Sequence, residues 1–442
     1  MTELTREQII GLCKQHTMYT WTKNRTVQPK DIARAEGIYL YTHDGRKILD
    51  WNSQLMSVNI GHHHPKVREA MKKQIDELLY VWPATATKPR AELGKLLADI
   101  VPGDINTFFF CLGGAEANEN AMKAARQYTG RHKIISRYRS YHGATKECMQ
   151  LTGDPRRWHN EPGTPGFIKV MDPWPYTFSW GEDEEEITAR NLTYLEEVIQ
   201  MEGPETIAAM WIETVTGTNG ILPPPKGYLK GLRELLSKYG ILLVCDEVMA
   251  GWGRTGKLFA FEHGDIVPDI LTMAKGLTSS YAPLGAMAVS DPIAAHFQDN
   301  VFWGGLTYNS HCLGLATALA CIEVMEAEGL VENAERLGHV MRSEMDRLTE
   351  KHPSCKVGRN IGLFGMIDVQ KNSAGEPMAP FNGTSPAMAE LSRFFWDQGL
   401  FTFVRWGSFM CNPPLCITEE ELLDGFQIID RGLDITDRYF EG

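Results

Sequence analysis

The run Ile-Leu-Leu-Val-Cys at 241–245 constrains this chain more than any other segment. It is apolar at every position, so a strand built from it must be covered on both faces. A half-buried strand would alternate apolar and polar residues instead. Further strand candidates are Thr107–Cys111, Lys133–Ser136, Ile207–Glu213 and Gly285–Val289, and amphipathic stretches separate them. Ala115–Thr129, Tyr228–Tyr239 and Cys312–Ala327 read as helices. Strands followed by helices predict an α/β architecture, a mostly parallel sheet between helical layers.

The two ends differ from the middle. EGIYLYTHDGRKILDW, residues 36–51, predicts a β-hairpin around a His-Asp-Gly turn. Leu330–Lys351 and Ser385–Gly399 predict long helices, with a strand over Ile361–Val369 and a Gly/Pro/Asn-rich loop over 371–384 between them. The expected organisation is a large domain over 60–330 and a small α+β domain made from 1–59 and 331–442. Segment 172–186 reads as a surface excursion, with the acidic run GEDEEE a solvated face.

With 44 basic and 56 acidic residues the net charge is −12. Such a surface repels phosphate backbones, so nucleic acid is not an expected partner. No apolar stretch approaches the roughly 20 residues that span a bilayer, so no membrane is expected. MTELTREQII lacks a basic start followed by an apolar run, so no secretory signal is expected there. Nine cysteines without CxxC spacing fit a reducing cytoplasm. No metal is expected: His62-His63-His64 reads as a loop before the helix that Pro65 opens.

Four segments carry chemistry. Asp246 ends the apolar strand 241–246, where open parallel sheets bind ligands; it equally suits a helix cap. Lys275 follows the apolar run ILTMA and precedes glycine. A buried lysine is depressed in pKa and attacks carbonyls. The two residues are about one strand–helix–strand unit apart. In FFFCLGGAEANENAMKAARQ a strand runs into Gly113-Gly114-Ala115 and a helix begins, which places free N–H groups and the positive end of a dipole on a turn. Ser140-Tyr141-His142-Gly143 places an aromatic just past a strand, where it stacks on a flat ring or fills the core. A phosphate cradle, a stacking aromatic, a carboxylate and an amine together meet the needs of pyridoxal 5′-phosphate (PLP).

The chain resembles the class-III aminotransferases, the ω-aminotransferase group of fold-type-I PLP enzymes. The resemblance runs from EGIYLYTHDGRKILD through NIGHHHPKV, GGAEANENAMKAAR, SYHGAT, CDEVMAGWGRTG, PDILTMAKGL and LTYNSH to NPPLCIT. It implies that Lys275 holds the cofactor's aldehyde and Asp246 partners its ring nitrogen. Val248 and Tyr141 would flank the ring, with His142 beside it. Gly114 and Ala115 would hold the phosphate; the family often has a hydroxyl residue where Ala115 stands. Thr307 would reach the phosphate of a neighbouring subunit, which implies a homodimer, or a tetramer of two dimers, with shared active sites. Glu213 would lie near the cofactor and pair with a pocket arginine, and the family usually has proline where Thr214 stands. Arg405 would receive substrate acid groups, with Arg156 or Arg157 the next candidates. Trp21, Met56 and Trp82 are the further pocket candidates.

The activity this resemblance implies is ping-pong transfer of an amino group from a small amino donor to a 2-oxo acid acceptor, with pyruvate the expected one. Within the class the pattern is most similar to the taurine–pyruvate aminotransferases. A β-alanine or general ω-amine:pyruvate enzyme is the alternative, followed by an aminomutase or a decarboxylase. A non-enzymatic binding module does not explain the pairing of Lys275 with Asp246.

Overall fold

The computed structural model describes residues 4–442. Its centre is a seven-stranded sheet in the order Ile105–Cys111, Gly285–Ser290, Ile270–Met273, Leu242–Asp246, Ile207–Glu213, Lys133–Arg137, Phe167–Val170. Only Gly285–Ser290 runs against its neighbours; the other pairings are parallel. Leu243 and Cys245 pack into one core cluster, while Leu242 and Val244 pack into another. The central strand is thus buried on both faces, the reason its sequence does not alternate. Helix Gly114–Thr129 covers one face through Ala121, Met122, Ala124 and Ala125. Helix Tyr228–Lys238 covers the other through Leu229, Leu232, Leu235 and Leu236. The fold is that of fold-type-I PLP enzymes: α/β with additional small sheets.

The ends meet in space. Tyr39–Tyr41 and Lys47–Asp50 form the expected hairpin, and Arg34–Glu36 extends it. Lys47–Asp50 also pairs, in parallel, with Leu400–Phe401. We propose the division into a large domain, 60–330, and a small one, 1–59 with 331–442; the Leu49 amide, which donates to the Gly399 carbonyl at 2.8 Å, supports it. The first three residues of that range lie outside the described ones.

One expectation needs correction, and two gain detail. Ile361–Val369 is not one strand. Cys355–Ile361 and Phe364–Val369 form an antiparallel hairpin that turns at Gly362, whose φ is +55°. The acidic run is exposed, as expected, and it also opens a helix. Glu184, Glu185 and Glu186 form the first turn of helix Glu184–Glu202, where they meet the positive end of its dipole, and the Asp183 side chain caps it. The preceding excursion is partly anchored, because Asp172 and Pro173 are buried. No described helix is long and apolar enough to cross a membrane.

Candidate active site

Parallel strands place their carboxyl ends on one side of the sheet. A cavity of about 1140 Å³ opens there. Asp246, at the end of its strand, is 4% exposed. Its Oδ2 accepts from Asn118 Nδ2 at 2.8 Å and lies 2.7 Å from His142 Nδ1. Its Oδ1 accepts from the Val248 amide at 3.0 Å. These partners hold the carboxylate in one orientation against the cavity.

Lys275 lies just beyond the neighbouring strand and lines the same cavity. It is half-buried, less so than its sequence context suggests, because its side chain faces that space. Burial pushes its ammonium pKa down. Asp246 and Glu213 oppose the shift, and Arg156 adds to it. Its φ of +40° is a left-handed conformation that a lysine adopts at a cost of about 1–3 kcal/mol.

Gly114 opens helix Gly114–Thr129, so the first N–H groups of the helix face the cavity without intrahelical partners. A side chain at 114 is excluded: a Cβ would lie 2.9 Å from both γ-carbons of Val248. Ala115, next along, also lines the cavity. Val248 and Tyr141 line it too. Trp21 packs edge-on against Tyr141, with ring centres 6.0 Å apart.

Glu213 is buried, which raises its pKa; the nearby His142 opposes that shift. Its Oε1 accepts from the Tyr141 amide at 2.9 Å and its Oε2 from the Gly217 amide at 2.8 Å. Both oxygens are therefore committed to backbone, and the expected pairing with a pocket arginine falls to another acid. Arg405 Nη2 donates to Asp154 Oδ2 at 3.2 Å and to Asn219 Oδ1 at 3.1 Å. Arg156 donates to the same Asp154 oxygen through Nη2 at 2.6 Å and to Thr218 Oγ1 at 2.8 Å. Its guanidinium also lies 3.5 Å from the centre of the Tyr141 ring. Burial pushes the Asp154 pKa up, but Arg156 and Arg405 outweigh it and hold the carboxyl below its ordinary value. The cavity wall thus carries two guanidinium groups on one carboxylate.

Arg157 does not belong to this group: it is absent from the cavity lining and pairs with Glu161. Met56 does line the cavity, from a strained turn in which Ser53, Gln54 and Met56 have φ of 45°, 59° and 51°. The Asp50 carboxylate holds that turn by accepting from the Gln54 amide at 3.0 Å and its Nε2 at 2.9 Å. Trp82 and Thr307 lie elsewhere on the chain, and Thr307 is the residue expected to serve a neighbouring subunit. Neither lines the cavity of the single chain. Trp82 is 74% exposed, and Thr307 lies on the outer surface with its carbonyl bonded to Tyr80 Oη.

Residues 21–433 match the family model described as aminotransferase class-III. The chain belongs to the class-III aminotransferases. It is 34% identical to a taurine–pyruvate aminotransferase of Bilophila wadsworthia over 394 residues, 85% of each chain. Taurine:2-oxoglutarate aminotransferase from Bifidobacterium kashiwanohense, solved with PLP and glutamate, is 39% identical, covers 99% of each chain and superposes with a TM-score of 0.96. An (S)-enantioselective omega-transaminase from Thermomicrobium roseum is 35% identical, with 98% of this chain and 99% of that one covered and a TM-score of 0.92.

Class-III aminotransferases use PLP, and the residues present fit that group. The helix N-terminus offers donors to a phosphate, Val248 and Tyr141 line the cavity, and a fixed carboxylate and a lysine amine share it. His142 Nε2 is buried with no hydrogen-bond partner, as expected of a group packed beside a ligand.

Two site residues escaped the sequence reading. Asn118 lies inside a helix, where asparagine is a poor former, and that mismatch is the signal that could have found it. Asp154 sits beside Arg156 in an ordinary-looking GDPRRW, which gives no signal of a partner 251 residues away.

Proposed function

We propose that the enzyme moves an amino group from a small donor carrying a distal acid, of the taurine kind, to a 2-oxo acid. The observation that carries this is the pair Arg156 and Arg405 on Asp154 in the cavity wall. A planar guanidinium binds carboxylate bidentately and tolerates sulfonate. Asp154 offsets one of the two positive charges between turnovers, so the wall keeps a net positive charge for an arriving anion.

The proposed roles follow from the geometry. When bound, PLP supplies an aldehyde that bonds amines and a cationic ring that draws electrons from the substrate C–H bond. The Gly114 and Ala115 amides hold its phosphate, Val248 and Tyr141 flank its ring, and Glu213 fixes the Tyr141 backbone. His142 would lie beside the ring, and Asp246 would hold the proton on the ring nitrogen. Lys275 holds the aldehyde carbon at rest. During turnover its Nζ would take the proton from the substrate carbon and deliver it to the carbon on the far side of the amine nitrogen. Its lowered pKa supports this, since a base must be unprotonated when the substrate arrives. Two such half-reactions in turn make the ping-pong cycle.

We take pyruvate as the acceptor, and taurine–pyruvate aminotransferase among the relatives supports it. The second arginine favours 2-oxoglutarate as a further reading, because two carboxylates would meet two guanidinium groups. A homodimer accounts for Trp82 and Thr307, which lie on the outer surface with Trp303, 76% exposed, nearby in sequence. A reducing cytoplasm suits nine cysteines that are all free. The test is amino-donor dependence. Taurine should convert pyruvate to alanine, and 2-oxoglutarate should be compared in parallel. If β-alanine or neutral amines surpass taurine many-fold with either acceptor, the general ω-amine reading replaces this one.

A further inference from the structure

We propose that Asn118 is a positioning residue for Asp246 and that Trp211, in the sheet, sets its orientation. This rests on Asp246 being the partner of the cofactor's ring nitrogen. The Asn118 side chain is fully buried, and four hydrogen bonds fix it. Its Nδ2 donates to Asp246 Oδ2 at 2.8 Å and to the His142 carbonyl at 2.9 Å. Its Oδ1 accepts from Trp211 Nε1 at 2.9 Å and from Thr272 Oγ1 at 3.0 Å.

An indole N–H can only donate. It therefore obliges the amide oxygen to face the sheet, and both amide hydrogens to face Asp246 and His142. Turned over, the amide would set Oδ1 against the Asp246 carboxylate and its hydrogens against the indole hydrogen, two like contacts at once. Trp211 is not in the cavity lining. A sheet residue remote from the ligand thus decides whether Asp246 meets a donor or an acceptor.

The other neighbour of Asp246 Oδ2 is His142 Nδ1, 2.7 Å away. A neutral His142 that donates from Nδ1 leaves Nε2 bare, and Nε2 is buried without a partner. Asn118 contributes a donor fixed by the sheet. Its contribution keeps the Asp246 carboxylate aimed, and the carboxylate in turn governs how strongly the ring draws electrons.

Two variants test this in the PLP-loaded enzyme. Asn118→Asp keeps the shape but places a second carboxylate against Asp246, and the two must then share a proton. Trp211→Phe removes the indole N–H and frees the amide to turn. The donor half-reaction rate, the donor KM, the cofactor's visible absorption band and the thermal midpoint are measured for each. One charge-assisted hydrogen bond corresponds to about a 10- to 150-fold loss of rate for Asn118→Asp. Trp211→Phe should lose less, in the same direction. KM should stay within about 3-fold for both, since neither contact involves substrate. The Asn118→Asp band should move as it does in Asp246→Asn. Folded Asn118→Asp enzyme with a wild-type band and rate, or a loss confined to KM, overturns the proposal. If Asn118→Asp does not fold, a wild-type rate in Trp211→Phe overturns it alone. If Asp246→Asn itself behaves as wild type, the role of Asp246 fails rather than that of Asn118.

Discussion

Gly114→Ala tests how the phosphate turn and the ring slot are joined. The added methyl would lie 2.9 Å from Val248 Cγ1 and Cγ2 but 3.5 Å from its Cβ. Valine is held near one χ1 well, so both γ-carbons cannot withdraw together. Without cofactor Val248 can yield into the cavity. With the ring in place it cannot, so the strain is expressed as lost cofactor affinity. Overpacking costs about 1–3 kcal/mol, or roughly 5- to 150-fold in the PLP dissociation constant. Val248→Ala removes both offending carbons and leaves an ordinary 3.5 Å contact. It sacrifices two methyls against the ring, about 0.8 kcal/mol each, or roughly 15-fold. The double variant should therefore bind PLP like Val248→Ala alone, with a coupling of about 1–3 kcal/mol. The assay is equilibrium titration of the apoproteins with PLP, followed by absorbance. Additive losses in the double variant would refute the steric explanation.

Arg405→Ala and Arg156→Ala should each lower kcat/KM for taurine by about 10- to 150-fold, the loss of one charge-assisted contact, while a neutral arylalkyl amine changes far less in the donor half-reaction. Equal losses for both donors in either variant would make that arginine structural. Glu247, fully buried beside Asp246, is pushed up to about 7 by burial, although Thr214 and the Ala260 and Phe261 amides oppose the shift. Its folded form holds a proton more tightly than the unfolded chain, so its contribution to stability is complete below about pH 4.5 and is lost as pH rises through about 7. Urea midpoints of wild type and Glu247→Gln between pH 5 and 8 should show this slope in the wild type only; parallel curves would contradict it.

Much of the frame was legible because the physics is local. The ILLVC run announced a strand buried on both faces, and the glycine pair announced the helix start at Gly114. Lys275 and Asp246 were legible because each ends or follows an apolar run, where parallel sheets place their ligands. What was hidden depends on partners distant in sequence. Asp154 receives Arg405 from a different part of the fold, and Asn118 gains its meaning from Trp211 on a strand of the sheet. The edge strand Phe167–Val170 is short and paired on one side only, so its composition carries little signal. The turn at Gly362 escaped notice because apolar residues flank it on both sides.

The most direct test of the central claim is covalent mapping of the amine that holds the cofactor. The PLP-loaded enzyme is reduced with borohydride, digested and analysed by mass spectrometry. The expected result is a single pyridoxyl-phosphate adduct on the peptide containing Lys275, with loss of activity in step with labelling. An adduct on another lysine, or full labelling of a Lys275→Ala variant, would contradict it.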